Sequence, residues 1–205
     1  MFANIPFPSL FVCFLIFIAW MHYEKRKAGK KETRESEKFW QREEEANRTR
    51  NKDISGLPLF EISKDQIPMP DSSDENTCYY QKKVLEGMSL PMMNLSEYTN
   101  TDLKLAYGVG NFKTLSDYDE NFNSFLMNLS NLGNAYFQTG LLPEAAAVFR
   151  LCLDSGVTSM RNYAALANVY AAMGKSYKIS DLIKEVERSE RSDYSTIVEK
   201  LRSLL

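Results

Sequence analysis

The chain has 205 residues, with 25 basic against 27 acidic side chains, one histidine and three cysteines. That length allows one ordinary domain with appendages, and the near balance of charge provides no broad field for nucleic acid. His22, the only histidine, follows the apolar amino-terminal run, so neither a Ser-His-Asp arrangement nor a zinc site with several histidines can be assembled. Cys13, Cys78 and Cys152 are odd in number and lack paired spacing, which argues against a disulfide framework.

Residues 1–23 carry no Asp, Glu, Lys or Arg, and ten of the residues between Ile5 and Met21 are Leu, Ile, Val or Phe. On the insertion scale these contribute roughly −3 to −6 kcal/mol together, enough to favour a bilayer after Pro6, Pro8 and Ser9 subtract something. A helix from Pro8 to Tyr23 is about 24 Å long, short of a ~30 Å hydrocarbon layer, so thinning or snorkelling is expected. A cleaved signal would want positive charge before the run and a small-x-small site after it. Here Lys25, Arg26, Lys27, Lys30, Lys31 and Arg34 come after, and Ala19-Trp20-Met21 is a poor site. A lipoprotein signal would put its cysteine at the end of the run, and Cys13 is in the middle. The expectation is a retained single-pass membrane anchor, amino terminus outside and the rest cytoplasmic by the positive-inside rule.

Residues 24–50 hold ten basic residues and seven glutamates around Phe39 and Trp40. They read as a solvated juxtamembrane helix continuing from the anchor; the basic cluster also suits anionic headgroups, though Glu24, Glu32 and Glu35 weaken that. Residues 51–74 are apolar yet broken by Pro58, Pro68 and Pro70, which predicts an extended path. Leu57, Leu59, Phe60, Ile62, Ile67 and Met69 need cover that water does not offer, so residues 55–70 are expected to lie along the following helical domain, the other option being a plain spacer.

That domain is expected to occupy residues 75–205. A helix over residues 75–88 offers Tyr79, Val84 and Leu85 for packing, and a short one from Thr101 to Tyr107 is capped by Asn100 or Thr101. Gly108-Val109-Gly110 has no third glycine and no preceding strand, so it reads as a hinge and not a nucleotide loop. Residues 116–138 are helical throughout, with Asp117, Asp119 and Glu120 placed at the helix start, where carboxylates suit the dipole. Asn47, Asn94 and Asn128 begin glycosylation triplets, which a cytoplasmic placement makes irrelevant.

The second half contains an internal repeat. Leu129, Leu132, Gly133 and Tyr136 recur 34 residues later as Tyr163, Leu166, Ala167 and Tyr170; Gly140, Ala145 and Phe149 recur as Gly174, Ile179 and Ile183. Leu129, Leu132 and Tyr136 share one helical face, beside Gly133, where a second helix must come close. Gly140 ends that helix at positive φ. Pro143 suits the first turn of the next, whose apolar face is Ala145, Val148, Phe149 and Cys152. Each repeat is therefore an antiparallel helix pair, over residues 126–159 and 160–193, with an amphipathic cap over 193–205 that points Ile197, Leu201, Leu204 and Leu205 inward.

These residues resemble the tetratricopeptide repeat, whose 34-residue unit reads aromatic, x2, Leu-Gly, x2, Tyr, then Ala, x3, Phe, then Pro. The first copy departs at Leu129 and Val157, which stand for the aromatic and the proline. The second has Ala167, Ile179, Ile183 and Arg191 in place of Gly, Ala, Phe and Pro. The resemblance implies an all-α, right-handed solenoid of antiparallel helix pairs, here behind an amino-terminal transmembrane helix. It implies a peptide groove on the first helix of each pair, presenting Ser130, Asn134, Phe137 and Gln138, then Arg161, Ala164, Asn168 and Ala171. Asn134 and Asn168 resemble the asparagines with which such repeats hold a bound backbone, but Ser130 and Ala164 stand where a carboxylate clamp has lysines. The expected function is non-enzymatic: a membrane-tethered scaffold or adaptor for a protein partner. The alternative is a peptide- or ligand-responsive module with residues 55–70 as its internal groove ligand. No cofactor, metal, small-molecule substrate or nucleic acid is expected.

Overall fold

The structure, a computed structural model, describes residues 7–156, 160–188 and 194–205. Among them are eight α-helices and no strand, so the chain is all-α: α1 (Phe7–Arg48), α2 (Glu75–Gly87), α3 (Asn100–Tyr107), α4 (Phe112–Gln138), α5 (Leu142–Asp154), α6 (Met160–Ala172), α7 (Ser176–Arg188) and α8 (Ser195–Arg202). Val157 and Arg191 of the repeat pattern, and the start of the expected anchor, lie outside the described residues.

The chain divides into two units, which are not those expected from sequence. One joins α1 and the residues up to Ile54 with Tyr98–Phe112; the other comprises Ser55–Glu97 and Lys113–Leu205. Sequence alone puts the stretch holding α3 in the helical domain, and its polar side chains are the reason it belongs with α1 instead. Arg42 pairs with Asp102 at 2.6 Å and Lys104 with Glu43 at 3.2 Å. The Thr101 hydroxyl also donates to Glu43. Thr99 and Asp102 start α3 with a reciprocal capping box, one residue earlier than expected.

Gly108-Val109-Gly110 is a packed corner and no free hinge. Gly108 sits at φ +92°, the Gly110 N–H donates to Asn51 Oδ1 at 2.8 Å, and the Lys52 N–H donates to the Tyr107 carbonyl at 3.0 Å. A Cβ at either glycine would run into Asn51. α1 itself runs unbroken from the apolar stretch through the charged one. Among the described residues no helix is long and apolar enough to cross a membrane.

The second unit is built on an apolar core. Leu129, Leu132, Tyr136, Val148, Phe149, Cys152, Leu166, Ala167 and Ile179 are each at most 1 % exposed. α5 packs on α6, α6 on α7 and α8, and α7 on α8. The 34-residue period reaches the backbone. α4 ends with Gly140 donating to Phe137 and Leu141 to Tyr136; α6 ends with Gly174 donating to Ala171 and Lys175 to Tyr170. This paired closure requires a left-handed residue, and Gly140 and Gly174 take φ +79° and +67°. At Gly133 the close neighbour is a side chain and not a helix backbone: a Cβ there would lie 2.9 Å from Phe149 Cζ. One period later Ala167 adds a methyl while Ile183 replaces the ring, so the volumes compensate.

Other expectations shift by a helical register. α2 buries Thr77 and Val84 and leaves Tyr79 and Leu85 53 % and 40 % exposed, because 77, 80, 81 and 84 form the inner stripe. α4 starts at Phe112, so Asp119 is well inside it; its carboxylate accepts the Leu95 N–H at 2.9 Å, while Asp117 pairs with Lys113. At the carboxyl end Ile197 and Leu201 are buried with Tyr194, but Leu205 lies beyond the last helical residue and is exposed.

Residues 55–70 run along the second unit with one short turn at Lys64–Gln66. The Phe60 N–H donates to the Met92 carbonyl at 2.7 Å, and its ring meets Phe122 edge-on at 5.0 Å. Ile67 is 3 % exposed, worth about 1.5–3 kcal/mol as a buried side chain. Pro68 and Pro70 have no N–H to satisfy, and their carbonyls are taken up. Tyr136 donates to Pro68 at 2.7 Å, and Gln81 donates to Pro70 at 2.8 Å and to the Tyr136 oxygen at 3.0 Å. Burial raises the Tyr136 phenol above its ordinary value, so it stays a donor at neutral pH. Leu59, by contrast, remains exposed.

Candidate functional site

The first helices of the two pairs share an amide-rich polar surface. α4 carries Met127, Asn131, Asn134 and Gln138 at spacings of four, three and four, a single stripe on the side away from Leu129, Leu132 and Tyr136. α6 begins beside it with Arg161 and Asn162. Two recesses open along this surface. One of about 220 Å³ is lined by Asn123, Leu126, Met127, Ser130, Asn131, Arg161 and Asn162. The other, of about 350 Å³, is lined by Asn131, Asn134, Ala135, Gln138 and Arg161, with Asn76 and Tyr80 of α2 as a further wall. Asn131 and Arg161 belong to both.

The expected groove residues divide accordingly. Ser130, Asn134, Gln138 and Arg161 line the recesses; Phe137, Ala164, Asn168 and Ala171 do not. Ser130 is 8 % exposed and its hydroxyl donates to Asn162 Oδ1 at 2.7 Å, a strut between α4 and α6 with no free donor for a ligand. The Asn134 amide donates to the Ser130 carbonyl at 3.0 Å and is half-buried. Asn168 and Ala171 are exposed further along α6.

Asn131, Asn162, Asn123, Asn76 and Tyr80 were missed. Asn131 was legible, since it completes the helical stripe with Met127, Asn134 and Gln138. Asn162 was hidden because sequence does not show that Ser130 is turned toward it, and α2 forms a wall only through tertiary packing.

Chemically the recesses are rich in amides, which donate and accept at fixed geometry, and hold one permanent cation. Among the described residues no group of three His, Cys, Asp or Glu side chains could hold a metal. Burial pushes the Cys152 thiol up to about 12, so it is a core residue and no nucleophile. Cys78 is exposed and donates to the Ser72 carbonyl at 3.1 Å. No protein-family model, curated protein or solved structure matches this chain.

Proposed function

We propose that this chain is a membrane-tethered adaptor of the tetratricopeptide-repeat type, which captures a peptide segment of a protein partner in the α4–α6 groove and performs no chemistry on it. The observation that carries the reading is the pair of adjoining recesses on the first-helix face, lined by amides able to pair with an extended backbone. The matching 34-residue backbone closures at Gly140 and Gly174 support the repeat assignment. The tether is supported by α1, where Phe11, Val12, Phe14, Leu15, Ile16 and Phe17 are all 49–64 % exposed, all round the helix, so that lipid is their suitable solvent. By the positive-inside rule the basic residues that follow favour a cytoplasmic second unit.

Residues 55–70 are the second candidate for the groove's occupant. Their bonds go to Tyr136, Gln81 and Met92, none of which lines either recess. They belong to the core face of α4, which favours an outside peptide.

Two measurements test this reading. Translation of the full chain with endoplasmic-reticulum membranes should leave the exposed Asn47 and Asn94 unmodified; a glycosidase-sensitive mass increase reduced in Asn94→Gln would put the second unit on the other side. Selection of random peptides on the full chain in lipid nanodiscs should yield binders that the double variant Asn134→Ala, Gln138→Ala fails to hold. Equal retention by the variant would remove the groove.

A further inference from the structure

Resting on the groove reading above, we infer that the smaller recess is a receptor for one carboxylate of the bound peptide, held by Arg161 and Asn162, with an apolar neighbouring side chain against Leu126 and Met127. Asn162 is 6 % exposed, and its Oδ1 is occupied by the Ser130 hydroxyl at 2.7 Å. That bond sets the amide orientation and leaves Nδ2 as the group facing the recess. Among the described residues Nδ2 has no acceptor, yet it is not sealed off: Thr77 Oγ1 is the one fully enclosed polar side-chain atom without a bond. A buried amide that borders the recess and has no protein acceptor for its two N–H groups is a candidate donor to a ligand there.

Arg161 lies beside it, exposed at the mouth, and among the described residues no carboxylate or carbonyl pairs with its guanidinium. Its contrast is Arg150, which is held by both Asp154 and Glu185. The recess is therefore bordered by planar guanidinium donors and two amide N–H groups around about 220 Å³, and no acidic side chain lines it. Of the other two amides on that wall, Asn123 already gives its Nδ2 to Asp119, and Asn131 is shared with the larger recess. A carboxylate matches that set in charge and in its fork of acceptors. Leu126 is 6 % exposed and Met127 59 %, giving the opposite wall an apolar floor and an adaptable lip. The carboxylate has two possible sources, an Asp or Glu side chain or a free carboxyl terminus.

The test uses the full chain in nanodiscs against two random-peptide libraries, one displaying free carboxyl ends and one fused at both ends. Enrichment of acidic residues in the doubly fused library assigns the side-chain source, and binders confined to the first library assign the terminus. In either case amidation of that carboxylate, or Arg161→Gln, should weaken a selected peptide about tenfold, Arg161→Lys less, and rising salt should weaken the wild-type complex. Binders that lack any carboxylate preference and ignore Arg161→Gln, yet are lost in Asn134→Ala, Gln138→Ala, overturn this inference and leave the groove standing. No binder from either library, or binders indifferent to all the variants, overturns both.

Discussion

The two units of this chain are held by different forces. The repeat body buries rings and aliphatic side chains, with Tyr136, Phe149 and Leu166 closed to solvent. The α1–α3 unit buries little beyond Ala46, Thr101 and Leu103, and relies on Arg42–Asp102, the Glu43 contacts to Thr101 and Lys104, and Asn51 at its glycine corner. Area removed from water responds little to pH and is not screened by ions, whereas partly exposed ion pairs are screened and contribute little each. One unit should thus respond to volume and the other to solution conditions.

The largest expected effect is in the repeat body. Phe149→Ala empties the space against Gly133 and should cost about 3–5 kcal/mol in chemical denaturation of the full chain; a loss under 1 kcal/mol would mean that the pairing of helices is wrong. The opposite error, Ala167→Leu, adds volume at the equivalent position and should cost about 1–3 kcal/mol, with an unchanged melting temperature counting against the repeat register. Next in size, Tyr136→Phe leaves the Pro68 carbonyl and the Gln81 amide without their shared partner. We expect a loss of about 1–2 kcal/mol and faster amide exchange across residues 60–70. Slow exchange there in the variant would show that apolar contacts alone hold the segment.

The smallest effects belong to the α1–α3 unit, and they carry a sign. The Thr101 hydroxyl, then the Lys104 ammonium, hold the Glu43 carboxyl below its ordinary value, and the Thr99 hydroxyl and N–H do the same for Asp102, with Arg42 adding to it. Both folded values are depressed, so their stabilisation is fully present above the unfolded values, about 4.3 for Glu and 3.9 for Asp, and is lost as pH falls through the folded ones. Amide protection of α3 should therefore drop between neutral pH and about pH 3 while that of α5 and α6 changes less. Equal loss in both would mean that the two units are held alike. A thiol probe gives an independent reading: at mildly alkaline pH Cys78 should react while Cys152 stays protected until the repeat body unfolds.

Much of the repeat body was determined by sequence alone. A helix buries whatever recurs every three or four residues, so Ala145, Val148, Phe149 and Cys152 were readable as an inner face, and a glycine at a helix end announces positive φ at Gly140 and Gly174. Those are local properties, repeated in phase. Tertiary structure alone decided which polar residues face each other. Ser130 looks like a groove residue until Asn162 takes its hydroxyl, and residues 98–112 look like part of the repeat domain until Arg42, Glu43 and Asn51 meet them. A hydrogen bond between residues 32 or 60 positions apart leaves no periodic trace in the chain, because it depends on the direction of two side chains and not on the spacing of either. The same reason hid Asn162 as the neighbour of the expected groove residue Arg161, since the recess they share with Leu126, Met127 and Ser130 exists only when α4 and α6 are packed.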